Sequence, residues 1–238
     1  MQKRQFENDN FVLYSPDSLN YITNDLETIL NDSLEKYKKI FDVDKFRKVQ
    51  INYFDDIEEF RNYIYGLRGE KESLPTYAKG TFDKGMINAY IEINIDETSS
   101  LFIHRKYNAS HELFHIMYRK LVLEKNKQRR IVWFDEGMAQ FFSGENDKEM
   151  NIGFKEWVSN IKKRTKTIPN LNELSHGVSF ETSEYSGYNL SLLAVKYIYD
   201  TIGFDEFKKI IFDNNRIIEL GNNIIEKAFN YYENNNKK

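Results

Sequence analysis

The chain has 238 residues, of which 40% are hydrophobic, including 18 Phe and 16 Tyr, and it carries 34 Lys and Arg against 37 Asp and Glu for a net charge of -3. That apolar fraction excludes a disordered chain, and the near balance of charge excludes a global field that would draw in nucleic acid or an anionic membrane. Zero cysteines exclude a disulfide framework, a thiolate metal site and a Cys nucleophile, so any metal must sit on His and carboxylates.

The N-terminus, MQKRQFENDNFVLYS, lacks the apolar run of roughly 7 to 15 residues that marks a signal peptide, and no apolar stretch approaches the ~20 residues of a membrane span. As written, the chain reads as cytoplasmic with no membrane partner; a secreted form trimmed of its signal would read the same way. Composition leaves the oligomeric state open.

In chain order, Leu19, Ile22, Leu26, Ile29, Leu30, Leu34, Tyr37 and Phe41 recur at helical spacing and predict a long amphipathic helix over 17–41. Val49, Ile51 and Tyr53 alternate with polar residues as a strand does. Asp55 with Glu58 resembles a capping box for a helix carrying Ile57, Phe60 and Ile64, which Gly66 would end. Residues 67–80, with Pro75 and two glycines, read as a loop. Then Ile87, Ala89, Ile91, Ile93 and Ile95 alternate with Asn88, Tyr90, Glu92 and Asn94, predicting a strand over 87–95 with one buried face.

From Asn108 to Lys125 the period returns to helix, and helical patterns follow at 133–142, 154–163, 184–201, 204–212 and 219–232. Basic stretches such as Lys162 to Arg164 and Lys125 to Arg130 read as solvated helix ends. Strands early and helices late argue an α+β fold: one unit over 1–238, with a β-containing N-terminal lobe over 1–125 that ends in the helix of His111 and a helical C-terminal lobe over 126–238.

Three residues in this pattern carry metal chemistry. His111 and His115 of HELFH lie four apart, on one helical face, so both imidazoles can aim at one ion. Catalytic zinc takes three protein ligands and keeps a fourth position open, and Glu136 of WFDEGMA, separated from His115 by 20 residues, is the candidate carboxylate. That gap allows one helix to end, a loop to turn over 126–130 and a second helix to return. Glu112 points about 100° away from His111, beside the metal rather than onto it. It suits a general base that takes a proton from zinc-activated water attacking a carbonyl. Leu121 and Tyr118 stand where a metzincin needs its third His and its glycine, which excludes that class, and Glu124 lies two and a half turns past His115. A purely structural zinc site is disfavoured because no fourth ligand is apparent.

With these segments, Asn108 to His115, Trp133 to Ala139 and, more loosely, Tyr188 to Gly203, the sequence resembles the gluzincins, the zinc peptidases with a glutamate ligand that include thermolysin and the M1 aminopeptidases, and in particular the compact peptidase MA-like domains. The resemblance implies a thermolysin-like fold, one zinc ion per chain on His111, His115 and Glu136, and a peptide or protein substrate lying along strand 87–95 as a sheet edge. It also implies that Tyr188, with Tyr185 the runner-up, helps hold the oxyanion of the tetrahedral intermediate.

Two departures stand out. The strand Gly85 to Glu92 has no glutamate aligned with the one that grips a free amino terminus in M1 enzymes, so an endopeptidase is preferred slightly over an aminopeptidase. Gln140 stands where thermolysin-like enzymes place an Asp behind a zinc histidine, and its oxygen offers an uncharged acceptor for that imidazole. His104 and His176 read as surface or capping histidines. The expectation is therefore a zinc metallopeptidase; a catalytically inactive scaffold of the same shape that binds peptide or a partner is the alternative, and an intact Glu112 argues against it.

Overall fold

Two short strands, β1 (Lys3–Glu7) and β2 (Phe11–Ser15), open the chain in the computed structural model, which describes residues 3–69, 74–75, 78–175 and 179–234. The Asn8 side chain accepts from the backbone N–H groups of Asn10 (2.8 Å) and Phe11 (2.9 Å), the Asx turn that Asn favours, and folds β1 back antiparallel on β2. Sequence reading missed both strands, although Asn8-Asp9-Asn10 between short apolar runs is a turn signal.

The chain is an α+β fold and divides into two units, Met1–Ile116 and Met117–Lys238. In the first, the sheet order is β1-β2-β3-β5-β4, with β3 (Val49–Phe54), β4 (Gly80–Asp83) and β5 (Met86–Tyr90). Pairs β2–β3 and β3–β5 are parallel. Parallel neighbours need crossovers, supplied by the 3-10 turn Asp17–Ile22 with helix α1 (Thr23–Phe41), and by α2 (Ile57–Arg68). Leu19, Ile22, Leu26, Leu30, Leu34, Tyr37 and Phe41 are buried, as their spacing predicts.

Several boundaries differ from the expectations. Helix α2 is capped by Asp56, whose side chain accepts from the N–H of Glu59 at 2.7 Å, one residue later than the predicted box. It runs through Gly66 and stops where Gly69 takes φ 86°, a conformation only glycine adopts without strain. Part of the predicted loop 67–80 lies outside the described residues, and its end is β4. Lys84 (φ 46°) and Gly85 (φ 89°) form the two-residue hairpin turn joining β4 to β5.

Strand β5 ends at Tyr90 instead of residue 95. Its partner β3 stops at Phe54, opposite Tyr90, because the chain there turns into α2; only the Ile91 N–H still reaches Phe54 O, at 2.8 Å. Nor is β5 an edge: it lies between β3 and β4, and the edges are β1 and β4. Its polar side is also buried. Asn88 accepts from Asn52 at 2.8 Å, Asn52 accepts from Gln50 at 2.9 Å, and α2 packs against the same side through a cluster of Phe54, Phe60, Ile64, Leu74 and Tyr90. The Asn52–Asn88 bond meets part of the hydrogen-bonding need of this polar register position inside the core, while Asn88 Nδ2 is buried without a partner.

Helix α3 (Ser100–Tyr118) starts eight residues earlier than predicted, because Ser99 caps it by accepting from the N–H of Phe102 at 3.1 Å. Within the first unit α3 is fastened to α1 by a buried hydroxyl chain: Ser110 Oγ donates to Ser33 Oγ at 2.7 Å and lies 2.7 Å from the Tyr37 hydroxyl. Phe114 packs beside it, 5.1 Å from the Tyr37 ring and 5.3 Å from Phe41.

Among the described residues, the second unit is built of helices joined by loops, with one isolated β-bridge between Glu181 and Ser186. A π-helical stretch, Arg119–Glu124, continues the end of α3 and is followed by α4 (Val132–Ser143), α5 (Asp147–Arg164), α6 (Gly187–Ile211), α7 (Asn214–Gly221) and α8 (Ile224–Asn234). The predicted break near residue 203 is present as Gly203 at φ 77° inside α6. The helix predicted over 219–232 is two helices, split at Asn223 (φ 58°); Asn tolerates the left-handed region better than most residues. No helix among the described residues is long and apolar enough to cross a membrane.

The hydroxyl chain under α3 yields a direct test. Tyr37→Phe removes the phenol's buried hydrogen bonds to Ser110, at 2.7 Å to Oγ and 3.2 Å to the carbonyl, while leaving Ser110 its bond to Ser33, and it should lower unfolding stability by about 1 to 2 kcal/mol in urea titration; an unchanged midpoint would mean the phenol adds nothing.

Candidate metal and catalytic residues

From Ala109 to Tyr118, every residue of α3 is buried except His111, Glu112 and His115. Positions i, i+1 and i+4 share one stripe of a helix, so burial of the remaining surface, by α1 among others, leaves that stripe alone incompletely covered. The Nε2 atoms of His111 and His115 lie 2.9 Å apart, with ring centroids at 4.7 Å and planes at 75°. At that separation one imidazole donates and the other accepts, and both Nε2 atoms face the same point.

Beside this stripe, α3 is tied to the sheet. The Asn108 amide donates to the carbonyls of Lys79 (3.3 Å) and Tyr90 (3.4 Å), which sets the start of β4 against the helix. The next residue, Gly80, has no Cβ where one would stand 3.0 Å from Glu112 Oε1 and 3.2 Å from Glu112 Cγ. Gly80 thereby leaves room for the Glu112 carboxylate, a role sequence reading did not assign. His104 lies on α3 two turns before His111, roughly 10 Å up the axis and too far to share an ion with it.

In the second unit, Glu136 sits on α4, whose described residues are nearly all buried. Asp135 and Glu136 retain only 2% and 4% of their exposure, and adjacent buried carboxylates require compensation. Arg130 supplies it. Its Nε donates to Asp135 Oδ2 and its Nη2 to Glu136 Oε1, the latter at 2.9 Å. Burial pulls the guanidinium pKa down, and the two carboxylates, Asp135 and then Glu136, outweigh that pull and raise it above the ordinary value. Arg130 is therefore an ion-pair member, a correction to its reading as a solvated helix end; its neighbours on the same basic run do not predict this.

Helix α4 is held at close range on α6. A Cβ at Gly137 would lie 2.3 Å from the Ser191 carbonyl oxygen, so the glycine beside Glu136 lets the two backbones touch. Gln140 Nε2 donates to the carbonyls of Glu136 (3.3 Å) and Tyr188 (3.0 Å), linking the backbone of the candidate ligand to the first turn of α6. Its amide nitrogen is thus committed to helix packing.

Tyr188 is half-buried, its ring edge-on to Phe180 at 4.7 Å and its N–H on Glu181 Oε1 at 3.2 Å. Tyr185 differs, because its hydroxyl donates to the Ser179 carbonyl at 2.8 Å and serves the loop. Glu124 is engaged by Arg119 and Lys120 at the surface. Glu92 lies past the end of β5, and His176 lies outside the described residues.

No protein-family model matches the chain, and no curated protein matches it in sequence.

The contact at Gly137 predicts that Gly137→Ala forces α4 away from α6 and destabilises the second unit by about 1 to 3 kcal/mol, the usual penalty of overpacking. Thermal unfolding measures this; a variant as stable as the parent would show that the helices yield without cost.

Proposed function

We propose that this protein is a zinc-dependent peptidase of the gluzincin kind, with a thermolysin-like arrangement of its catalytic helix, and that His111, His115 and Glu136 hold the metal. The observation that carries the reading is the pair of imidazoles on the incompletely covered stripe of α3 between Ala109 and Tyr118, with Nε2 atoms 2.9 Å apart. Glu136, a buried carboxylate on α4 of the second unit, is the third donor that the resemblance implies. Two imidazole nitrogens and one carboxylate oxygen form a donor set suited to zinc, and three protein donors leave a position open for chemistry.

Bound there, the ion supplies Lewis acidity that polarises a substrate carbonyl and lowers the pKa of water toward ~7. Glu112 is adjacent to His111 in the chain and outside the donor set, so it is the group that accepts a proton from the attacking water and returns it to the leaving amine. Gly80 leaves space for that carboxylate. The Tyr188 phenol donates to the oxyanion as charge develops on the carbonyl oxygen.

A peptide adding to the sheet as a further strand needs an edge, and β4, which begins at Gly80, is the edge beside Glu112. Main-chain recognition of this kind reads extended substrate along its length. Endopeptidase action is preferred, because strand β5 carries no carboxylate to hold a free amino terminus.

The reading predicts that Glu112→Gln keeps stoichiometric zinc and loses about 10²- to 10⁴-fold in turnover of a mixed peptide library. Zinc without cleavage in the parent protein would favour a peptide-binding scaffold, and a parent without zinc affinity would remove the basis of the proposal. Glu136→Ala should weaken zinc binding by about 100-fold or more, at least the upper cost of changes one layer further out; metal content after dialysis against a chelator reads this directly. Tyr188→Phe should lower turnover by about 10²-fold without changing zinc affinity, and equal turnover would assign the phenol to packing against Phe180.

A further inference from the structure

We propose that Arg47, stacked on Phe82 at the outer edge of the sheet, is a specificity-determining residue: the two form a subsite for an acidic side chain, aspartate or glutamate, two or three residues from the scissile bond of a peptide. The inference deepens the peptidase reading above and rests on it, and it draws only on residues of the first unit.

The register of the sheet sets where a peptide strand can bond. The Tyr90 N–H donates to the Lys79 carbonyl at 2.8 Å, so Lys79 and Tyr90 are a hydrogen-bonded pair, and the alternation of an antiparallel ladder gives Thr81 and Asp83 the same role. The backbone N–H and C=O groups of Gly80 and Phe82 therefore point away from β5, toward the side of β4 on which the sheet has no further strand. Those are the groups that an added strand engages.

Side chains alternate in the same way. Thr81 is buried on the face that carries Asn88 and α2, so Gly80 and Phe82 share the opposite face. On that face a Cβ at Gly80 would stand 3.0 Å from Glu112 Oε1. Phe82 lies two residues further on, about 7 Å along the strand. A peptide strand advances at the same rise. A residue lying alongside Gly80 is then beside Glu112, and the residue two positions away, with its side chain on the same face, meets Phe82.

What it meets there is a cation on an aromatic ring. The Arg47 guanidinium carbon lies 5.9 Å from the centroid of Phe82, within reach of a cation–π contact. Arg47 is exposed and makes no ion pair with any described carboxylate. Asp83, the acid on β4, does not oppose this charge: it lies on the other face and is engaged by Arg68 at 2.6 and 3.1 Å. A half-buried ring and a guanidinium together accept the methylene stem and the carboxylate of an acidic residue, whereas a lysine or arginine would meet like charge.

Charge reversal at this exposed position tests the assignment without disturbing the core. A mixed peptide library is digested with the full-chain parent, Arg47→Ala and Arg47→Glu, and the cut sites are read by mass spectrometry. The parent should favour Asp or Glu over Asn or Gln by about 5-fold at one position two or three residues from the cut, the scale of an exposed ion pair. Arg47→Ala should lose the preference, and Arg47→Glu should transfer it to Lys and Arg while still cleaving neutral peptides. In parallel, a labelled peptide carrying Glu, Gln or Lys at successive positions is titrated by fluorescence anisotropy against Glu112→Gln, with and without Arg47→Glu.

Cleavage without an acidic preference would overturn the subsite and leave the peptidase standing, with Arg47 then guarding an open strand edge against other strands. An acidic preference that survives in Arg47→Glu would overturn the assignment to Arg47. If the parent cleaves no peptide, the peptidase reading falls and binding decides the subsite separately: tighter binding of the Glu peptide, reversed by Arg47→Glu, supports it, and equal binding of the three peptides overturns it.

Discussion

Burial of one side of α3 is the constraint from which the placement of His111, Glu112 and His115 follows. Ala109, Ser110, Leu113, Phe114 and Ile116 are all removed from water, and the two serine hydroxyls and the Tyr37 phenol beneath them are bonded to one another. A helix fixed in this way cannot rotate about its axis without breaking a buried hydrogen bond and withdrawing Phe114 from Tyr37 and Phe41. Rotation would carry the two histidines together off the incompletely covered stripe, so helix pitch sets the imidazoles on one face and packing on the hidden side fixes where that face points.

Charge imposes the second constraint. The WFDEGMA segment puts two acids into a helix whose surroundings are almost wholly apolar, and buried carboxylates of that kind persist as anions only with a cation at hand. Arg130 meets this need from the preceding loop, and the close approach of Gly137 to Ser191 keeps α4 from shifting to relieve it. Stability of the helical unit and placement of Glu136 within it are therefore one problem with one solution. The cost is a sensitivity to small changes: a methyl group at Gly137 or a shorter cation at Arg130 acts on both together.

Legibility of the sequence follows the range of the forces involved. Helical periodicity located α1, α4 and the bodies of α5 and α6, because amphipathic spacing is a local property, but it began α5 seven residues late, since the first turns of that helix carry no clear apolar period. The break at Gly203 was legible for the same reason, and the hairpin glycine Gly85 and the cap Ser99 carried signals that allow β4 and the early start of α3 to be read. Strand 87–95 was overextended because alternation persists through Ile91, Ile93 and Ile95 while pairing does not. A strand ends where its partner ends, and β3 turns into α2 at Asp56.

The sequence by itself determined the candidate donor types and their local order: two histidines one helical turn apart, a glutamate between them at the wrong angle to join them, and a second glutamate after a gap of 20 residues. Those follow from covalent spacing and the pitch of a helix. Only the tertiary structure decided which strand is the edge, that Gly80 yields its side-chain volume to Glu112, and that Arg130 is spent on Asp135 and Glu136 instead of solvent. These depend on which segments distant in the chain come to lie side by side, and no local pattern of residues encodes the partner a strand, a glycine or a guanidinium will meet.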